Sequence, residues 1–227
     1  MQAGFTLFMD DGIMQIDSNF KTVAPAFRLT YAGPYTSSNT AFVGTWYHFT
    51  VTIPLETKYL FFASPVERSI ALIKKAGTSH TFVTSTPGAI EIYGFKDSPA
   101  QDSGSGSGLQ LFDENGVLTF DSESNFMKVV DAFTVPTSGL AIKPWPDPTR
   151  NYAIGLGVYA KCWRGAMQAG LPWGVLMSYA IRVGPSAGGG GFTGISSRLW
   201  GGGGDAPPGN TPQAAPPTAM IVDVTGL

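Results

Sequence analysis

Residues 4–27, GFTLFMDDGIMQIDSNFKTVAPAF, return as residues 108–133, GLQLFDENGVLTFDSESNFMKVVDAF, and only Glu123-Ser124 is inserted between the two registers. Of 24 aligned columns 11 are identical, among them Gly4/Gly108, Leu7/Leu111, Phe8/Phe112, Gly12/Gly116, Asp17/Asp121, Ser18/Ser122 and Phe27/Phe133. Unrelated segments of average composition share about one or two. Each copy has an apolar-rich strand, then Asp11-Gly12 or Asn115-Gly116, then a second strand, which predicts a β-hairpin. Asp-Gly and Asn-Gly accept positive φ at both centres of a type I′ turn, so Asp11, Gly12, Asn115 and Gly116 are read as the hairpin turns. The Asp-Ser pair closing each second strand suits a side-chain-to-backbone turn.

The carboxylates at Asp10, Asp11 and Asp17, and at Asp113, Glu114 and Asp121, raise the question of a metal. Calcium loops converge several oxygens from closely spaced positions and close with a bidentate Glu, and neither copy has that pattern. Turn chemistry accounts for the same residues, so no metal is expected.

Outward from the repeat, short apolar or alternating segments recur at residues 26–31, 45–54, 59–63, 69–73, 81–84 and 89–95, with Gly, Pro, Ser and Thr between them. Residues 45–53, TWYHFTVTI, are strongly β-forming. Ile70-Ala71-Leu72-Ile73-Lys74-Lys75 suits the start of a short helix ended by Gly77. Further strands are expected at 139–143, 151–164, 174–183 and 219–224, with Gly155 and Gly157 on one face to admit a neighbouring ring or backbone. The fold class is therefore all-β, with two related sandwich-like units each opening on a hairpin: residues 1–96, a polar Gly/Ser linker at 97–107, and residues 108–227. A Gly/Pro-rich stretch at 184–217 is expected to project from the second unit as a long loop.

Composition supports this and narrows function. The 227 residues include 29 glycines and 17 prolines, which work against long helices, and only 13% are charged. With 14 basic and 16 acidic residues and no Lys/Arg run, nucleic-acid binding through phosphates is not expected. No apolar run approaches the roughly twenty residues that span a bilayer, so membrane insertion is not expected, and the first residues predict no export signal. The lone Cys162 can form no internal disulfide.

Catalytic and cofactor signals are weak. His48 and His80 lie in β-like segments without a neighbouring acidic partner, no Gly-x-Ser-x-Gly elbow occurs, and the glycine runs match neither a P-loop nor a dinucleotide fingerprint. Neither enzymatic activity nor a cofactor is expected. Trp145, Trp163, Trp173 and Trp200 concentrate in the second half, where they suit either packing or a stacking platform for a sugar ring. Trp163, Trp173, Arg198 and Trp200 are the candidate partner or receptor contacts, because exposed aromatic and Arg anchors are common in interfaces.

The second copy, from Gly108 through Leu111-Phe112 and Asn115-Gly116 to Phe120-Asp121-Ser122, resembles the opening signature of a family of small tailed-bacteriophage proteins associated with the tail tip or tail fibre. That pattern runs roughly Gly-Leu-x-Val-Phe-x-x-x-Gly-x-x-x-Phe-Asp-Ser. The preceding polar linker and the closing residues 222–227, VDVTGL, are similar too, whereas the first copy departs at Phe5, Met9 and Ile16. The match covers about fifteen residues of the chain. The resemblance implies a structural virion protein at the distal tail (tail tip, baseplate or fibre attachment), assembled in the host cytoplasm, docking as a homo-oligomer and with other tail proteins, and it brings no catalytic residues. The alternative is a receptor-binding module that recognises a host-surface glycan or protein.

Overall fold

The computed structural model describes residues 6–8, 14–17, 22–39, 45–98, 104, 108–134, 141–147, 149–156, 161–168, 171–183, 190–201 and 218–227. The fold is all-β and sandwich-like, and no helix occurs among the described residues. The described residues form eighteen strands, β1 (Thr6–Phe8), β2 (Met14–Asp17), β3 (Val23–Tyr31), β4 (Thr36–Asn39), β5 (Thr45–Thr52), β6 (Tyr59–Ala63), β7 (Arg68–Ala76), β8 (Ser79–Thr84), β9 (Ile90–Asp97), β10 (Gln110–Phe112), β11 (Leu118–Asp121), β12 (Lys128–Thr134), β13 (Ala141–Lys143), β14 (Tyr152–Leu156), β15 (Lys161–Gln168), β16 (Leu171–Val183), β17 (Gly190–Gly201) and β18 (Thr218–Asp223).

The sequence repeat is a structural repeat. In the first hairpin Thr6, Leu7 and Phe8 face Asp17, Ile16 and Met14; in the second Gln110, Leu111 and Phe112 face Asp121, Phe120 and Leu118. These are the same columns, and the register slips at the same place, between Leu7 and Phe8 and between Leu111 and Phe112. A bulge reproduced in both copies is a designed feature of the unit.

The repeat extends beyond the identical residues. One sheet has the order β12-β18-β14-β6-β9-β3, the other β13-β17-β16-β7-β8-β5-β4, with β15 paired to β16. Setting aside β4 and β15, strands β3, β5, β6, β7, β8 and β9 match β12, β13, β14, β16, β17 and β18 in chain order, and each sheet reads the same from both ends. The central pairs, β6 with β14 and β7 with β16, are antiparallel, as a two-fold relation between the halves requires. Register positions agree: Leu60 pairs with Gly94, which pairs with the repeated Phe27, and Leu156 pairs with Ala219, which pairs with the repeated Phe133.

Residues 1–96 and 108–227 therefore share both sheets rather than each closing on its own, and Asp97, expected in the linker, ends β9. They also share one core. Phe49, Phe82 and Ile70 from one sheet meet Phe62, Ile92, Tyr152, Ile154 and Ile221 from the other. Phe49 stacks on Tyr31 at 4.8 Å and on Phe82 at 5.4 Å between ring centroids. Each such buried side chain contributes about 1.5–3 kcal/mol. Period-two alternation produces this: Ile90 and Ile92 point to that core, while Tyr93 and Phe95 point to the opposite face of the six-stranded sheet.

That opposite face is also apolar, with Phe61, Tyr93, Phe95, Ala153, Val222 and Val224 buried together against Met127 and Leu227. The sheet curls around them until the starts of its two edge strands meet, where the Met127 N–H donates to the Val23 carbonyl at 2.7 Å. Thr22 Oγ1 donates to the Thr119 carbonyl at 2.7 Å, which ties the second hairpin to the same place.

Three expectations change. Residues 68–76 form β7, not a helix, because β16 pairs with residues 68–70 and β8 with residues 70–76 while Ile70 and Ala71 are buried; tertiary pairing overrides local preference. Within 184–217, residues Gly190–Gly201 are not loop but strand β17, paired along β16 from Trp173 to Arg182. The glycines hid a β-forming FTGISSRLW segment; residues 184–189 and 202–217 lie outside the described residues. The second hairpin turn is not type I′: the Asp113 N–H donates to the Val117 carbonyl and the Gly116 N–H to the Asp113 carbonyl, which makes a three-residue loop in which Gly116 takes φ +77°.

Candidate functional site

The second hairpin shows what most of the repeated residues do. Asp113 Oδ1 accepts the N–H groups of Asn115 and Val117, both at 2.8 Å, and these bonds, that of Val117 foremost, hold its carboxyl below the ordinary carboxylate range. Asp121 is fully buried; its Oδ1 accepts the Glu123 N–H at 2.8 Å and its Oδ2 the Gln110 amide at 3.0 Å. Ser122 Oγ accepts the Leu109 N–H at 2.9 Å. Gly108 has φ +93°, and a Cβ there would lie 2.5 Å from that Oγ, so the first and last letters of the signature require each other. Leu111 is buried, and Phe120 packs on Phe126. These residues build the hairpin. Asp11 and Gly12, the first-copy turn residues, lie outside the described residues.

Phe112 is different. Though identical in both copies, it is 50% exposed, and Leu109, Val117, Val129 and Val130 are exposed with it. Among the residues whose side-chain burial is described, only Leu55 and Val66 are large, apolar and comparably exposed elsewhere, so residues 109–130 hold most of the exposed large apolar side chains of that set. Val129 and Val130 stand on β12, an edge of the six-stranded sheet, where the register slips.

The expected aromatic contacts fall on the three strands β15, β16 and β17. In register, Trp163 and Arg198 both face Leu176, Trp200 faces Gly174, and Trp173 faces Ala166 and Gly201. The backbone thus brings all four positions onto adjacent strands, although they span almost forty residues of sequence. Their side chains lie outside what the structure describes.

A cleft of about 850 Å³ opens where the halves meet, and sequence reasoning did not assemble it. From the first half it takes Arg28, Glu91 and Tyr93; from the second, Trp145, Arg150 and Tyr152. Arg28 Nη2 lies 3.0 Å from Glu91 Oε2, and the guanidinium sits 5.5 Å over the Tyr93 ring. Arg28 also donates to the Leu227 carbonyl, and the Tyr93 hydroxyl donates to Glu91. Burial first, then the adjacent Glu91 carboxylate, push the Tyr93 hydroxyl above the ordinary phenol range. Across the cleft Arg150 pairs with the buried Asp223, and Trp145 stacks on Tyr152 with centroids 5.5 Å apart and planes 22° from parallel. Only Trp145, flanked by Pro144 and Pro146, carried a sequence signal; Arg28, Glu91 and Arg150 are scattered along the chain.

His80 is buried, with Nδ1 3.0 Å from the Thr78 carbonyl and its ring stacked on Phe82. Gly155 admits a neighbour, since a Cβ there would lie 2.4 Å from the Leu60 carbonyl and 2.8 Å from the Phe61 ring. Among the described residues no three His, Cys, Asp or Glu side chains converge to hold a metal. No family model, curated protein or solved structure matches this chain.

Proposed function

We propose that this chain is a structural and interaction protein of a bacteriophage virion, placed at the distal tail, where it works by docking against neighbouring subunits rather than by chemistry. The observation that carries this reading is the exposure of five large apolar side chains, Leu109, Phe112 and Val117 on the second hairpin and Val129 and Val130 on the edge strand β12. Exposed apolar side chains of this size suit contact with a partner, and the edge position of β12 suits strand addition by a neighbour. Phe112 recurs as Phe8, and its half-exposed ring in the second hairpin fits a residue kept for contact. The resemblance of the hairpin signature to tail-tip and tail-fibre proteins supplies the location, and a neighbouring tail subunit presenting an apolar strand is the proposed occupant.

The test is incorporation. Mass spectrometry of purified virions is expected to find the polypeptide, and particles assembled with Phe112→Asp,Val130→Asp are expected to lose at least nine-tenths of it, while the variant melts like wild type. Virions without the wild-type chain, or normal incorporation of the double variant, would overturn the proposal.

A further inference from the structure

We infer that the cleft between the halves is a binding site for a neutral oligosaccharide. This goes beyond the docking reading and rests on separate residues. The cleft has the parts that sugar recognition uses: an indole at Trp145 held by stacking on Tyr152, and planar polar groups at Arg28, Glu91 and Arg150 that offer hydrogen-bond donors and acceptors to ring hydroxyls.

Charge selects the ligand class. Arg28 is matched by Glu91 in the wall and Arg150 by Asp223 buried behind it, so each guanidinium already has a carboxylate partner. A phosphate or sulfate would have to displace a carboxylate from its guanidinium. Hydroxyl groups can instead bond to the outer edges of both ion pairs while these stay intact. A purely apolar ligand is disfavoured because it would strip water from the same charged groups.

Extent points to more than one ring. A second cleft of about 380 Å³, lined in part by Lys96, Ser98 and Asn125, adjoins the first and shares Arg28, Tyr93 and Leu227 with it. Arg28 over Tyr93 thus stands between two pockets, as a divider between sugar subsites would. Lys96 has its own carboxylate partner, Glu56, at 3.9 Å.

The test uses the full-length chain on an array of neutral oligosaccharides, with a heparin hexasaccharide and inorganic phosphate as anionic arms, followed by saturation-transfer NMR and indole fluorescence titration of the hits. Saturable binding of a neutral oligosaccharide is expected, weakened at least tenfold by Trp145→Ala and by the isosteric Glu91→Gln, and unchanged by the exposed-loop variant Leu55→Ser. Trp145→Phe, which keeps a ring on Tyr152, is expected to retain part of the affinity and guards against a folding defect in the alanine variant. Absence of neutral binding across the array, binding of the anionic arms alone, or wild-type affinity in both Trp145→Ala and Glu91→Gln would overturn the inference. Because no tail component is present, failure here leaves the docking proposal standing.

Discussion

The two halves of the molecule use the same strand plan with different side chains, and the differences show which features the plan demands. Across the six-stranded sheet the first half has the row Phe27–Gly94–Leu60 and the second Phe133–Ala219–Leu156. The phenylalanine and leucine are kept, and the residue between them is small in both. A Cβ on Gly94 would sit 2.1 Å from the Phe27 ring, whereas Ala219 carries one and remains fully buried in the core. The plan therefore requires a small residue beneath the ring, and the first half has drawn its phenylalanine closer than the second.

The largest effect tests that difference. Gly94→Ala forces Phe27 out of its position and is expected to cost about 2–3 kcal/mol, within the range of core overpacking. Ala219→Gly removes one buried methyl and adds backbone freedom, for about 1–2 kcal/mol. Urea denaturation of both variants measures the two losses. If they are equal, the closer approach in the first half has no energetic meaning.

The sequence made the hairpins legible because their chemistry is local: Gly108 needs Ser122, Asp113 needs Gly116, and all lie within fifteen residues. The all-β class followed from the Gly/Pro content and from alternation in strands such as β5. The duplication beyond residue 133 was not legible, because matched positions share size and direction rather than identity, as Gly94 and Ala219 do. Strand β17 was hidden for a related reason. Its glycines have low β-propensity, and only pairing along the 13-residue β16 makes it a strand. The cleft was least legible of all, since Arg28 reaches Glu91 across 63 positions and Arg150 reaches Asp223 across 73.

A smaller effect concerns how each half ties the end of the matched strands β9 and β18. Lys58 pairs with Asp97 in the first half and Arg150 with Asp223 in the second, but the Asp97 side chain is 37% exposed and that of Asp223 only 4%. Burial pushes the Asp223 carboxyl up; the Thr225 N–H and hydroxyl, with Arg150 and Lys128, more than reverse this and leave it below the ordinary range. A depressed folded-state pKa gives stability that is complete above the unfolded value near 4 and is lost as pH falls through the folded value. Asp223→Ala is thus expected to cost about 1–2 kcal/mol at pH 7, where it leaves the Thr225 N–H unpaired, and the deficit relative to wild type should shrink as the pH falls below the ordinary carboxylate range. Asp97→Ala should change the melt little at either pH, because water screens the exposed pair. Thermal melts from pH 7 to pH 2.5 check this, and equal sensitivity of the two variants would sink the distinction.

The smallest effect asks how far the likeness reaches inside the hairpins themselves. Gly116 takes φ +77° at the close of its three-residue loop, and open space surrounds the place where a Cβ would go. Gly116→Ala therefore meets backbone strain without a clash, an expected loss of about 1 kcal/mol. Gly12 occupies the matching column of the first copy, and β1 and β2 share the register and bulge of β10 and β11. Gly12→Ala should accordingly cost the same, and Gly116→Asn, which tolerates the left-handed region, should recover about half of the loss. Chemical denaturation of the three single variants reads this directly. A Gly12→Ala variant as stable as wild type would mean that identical strand pairing closes over two different loops, and the repeat would then be one of register and not of turn.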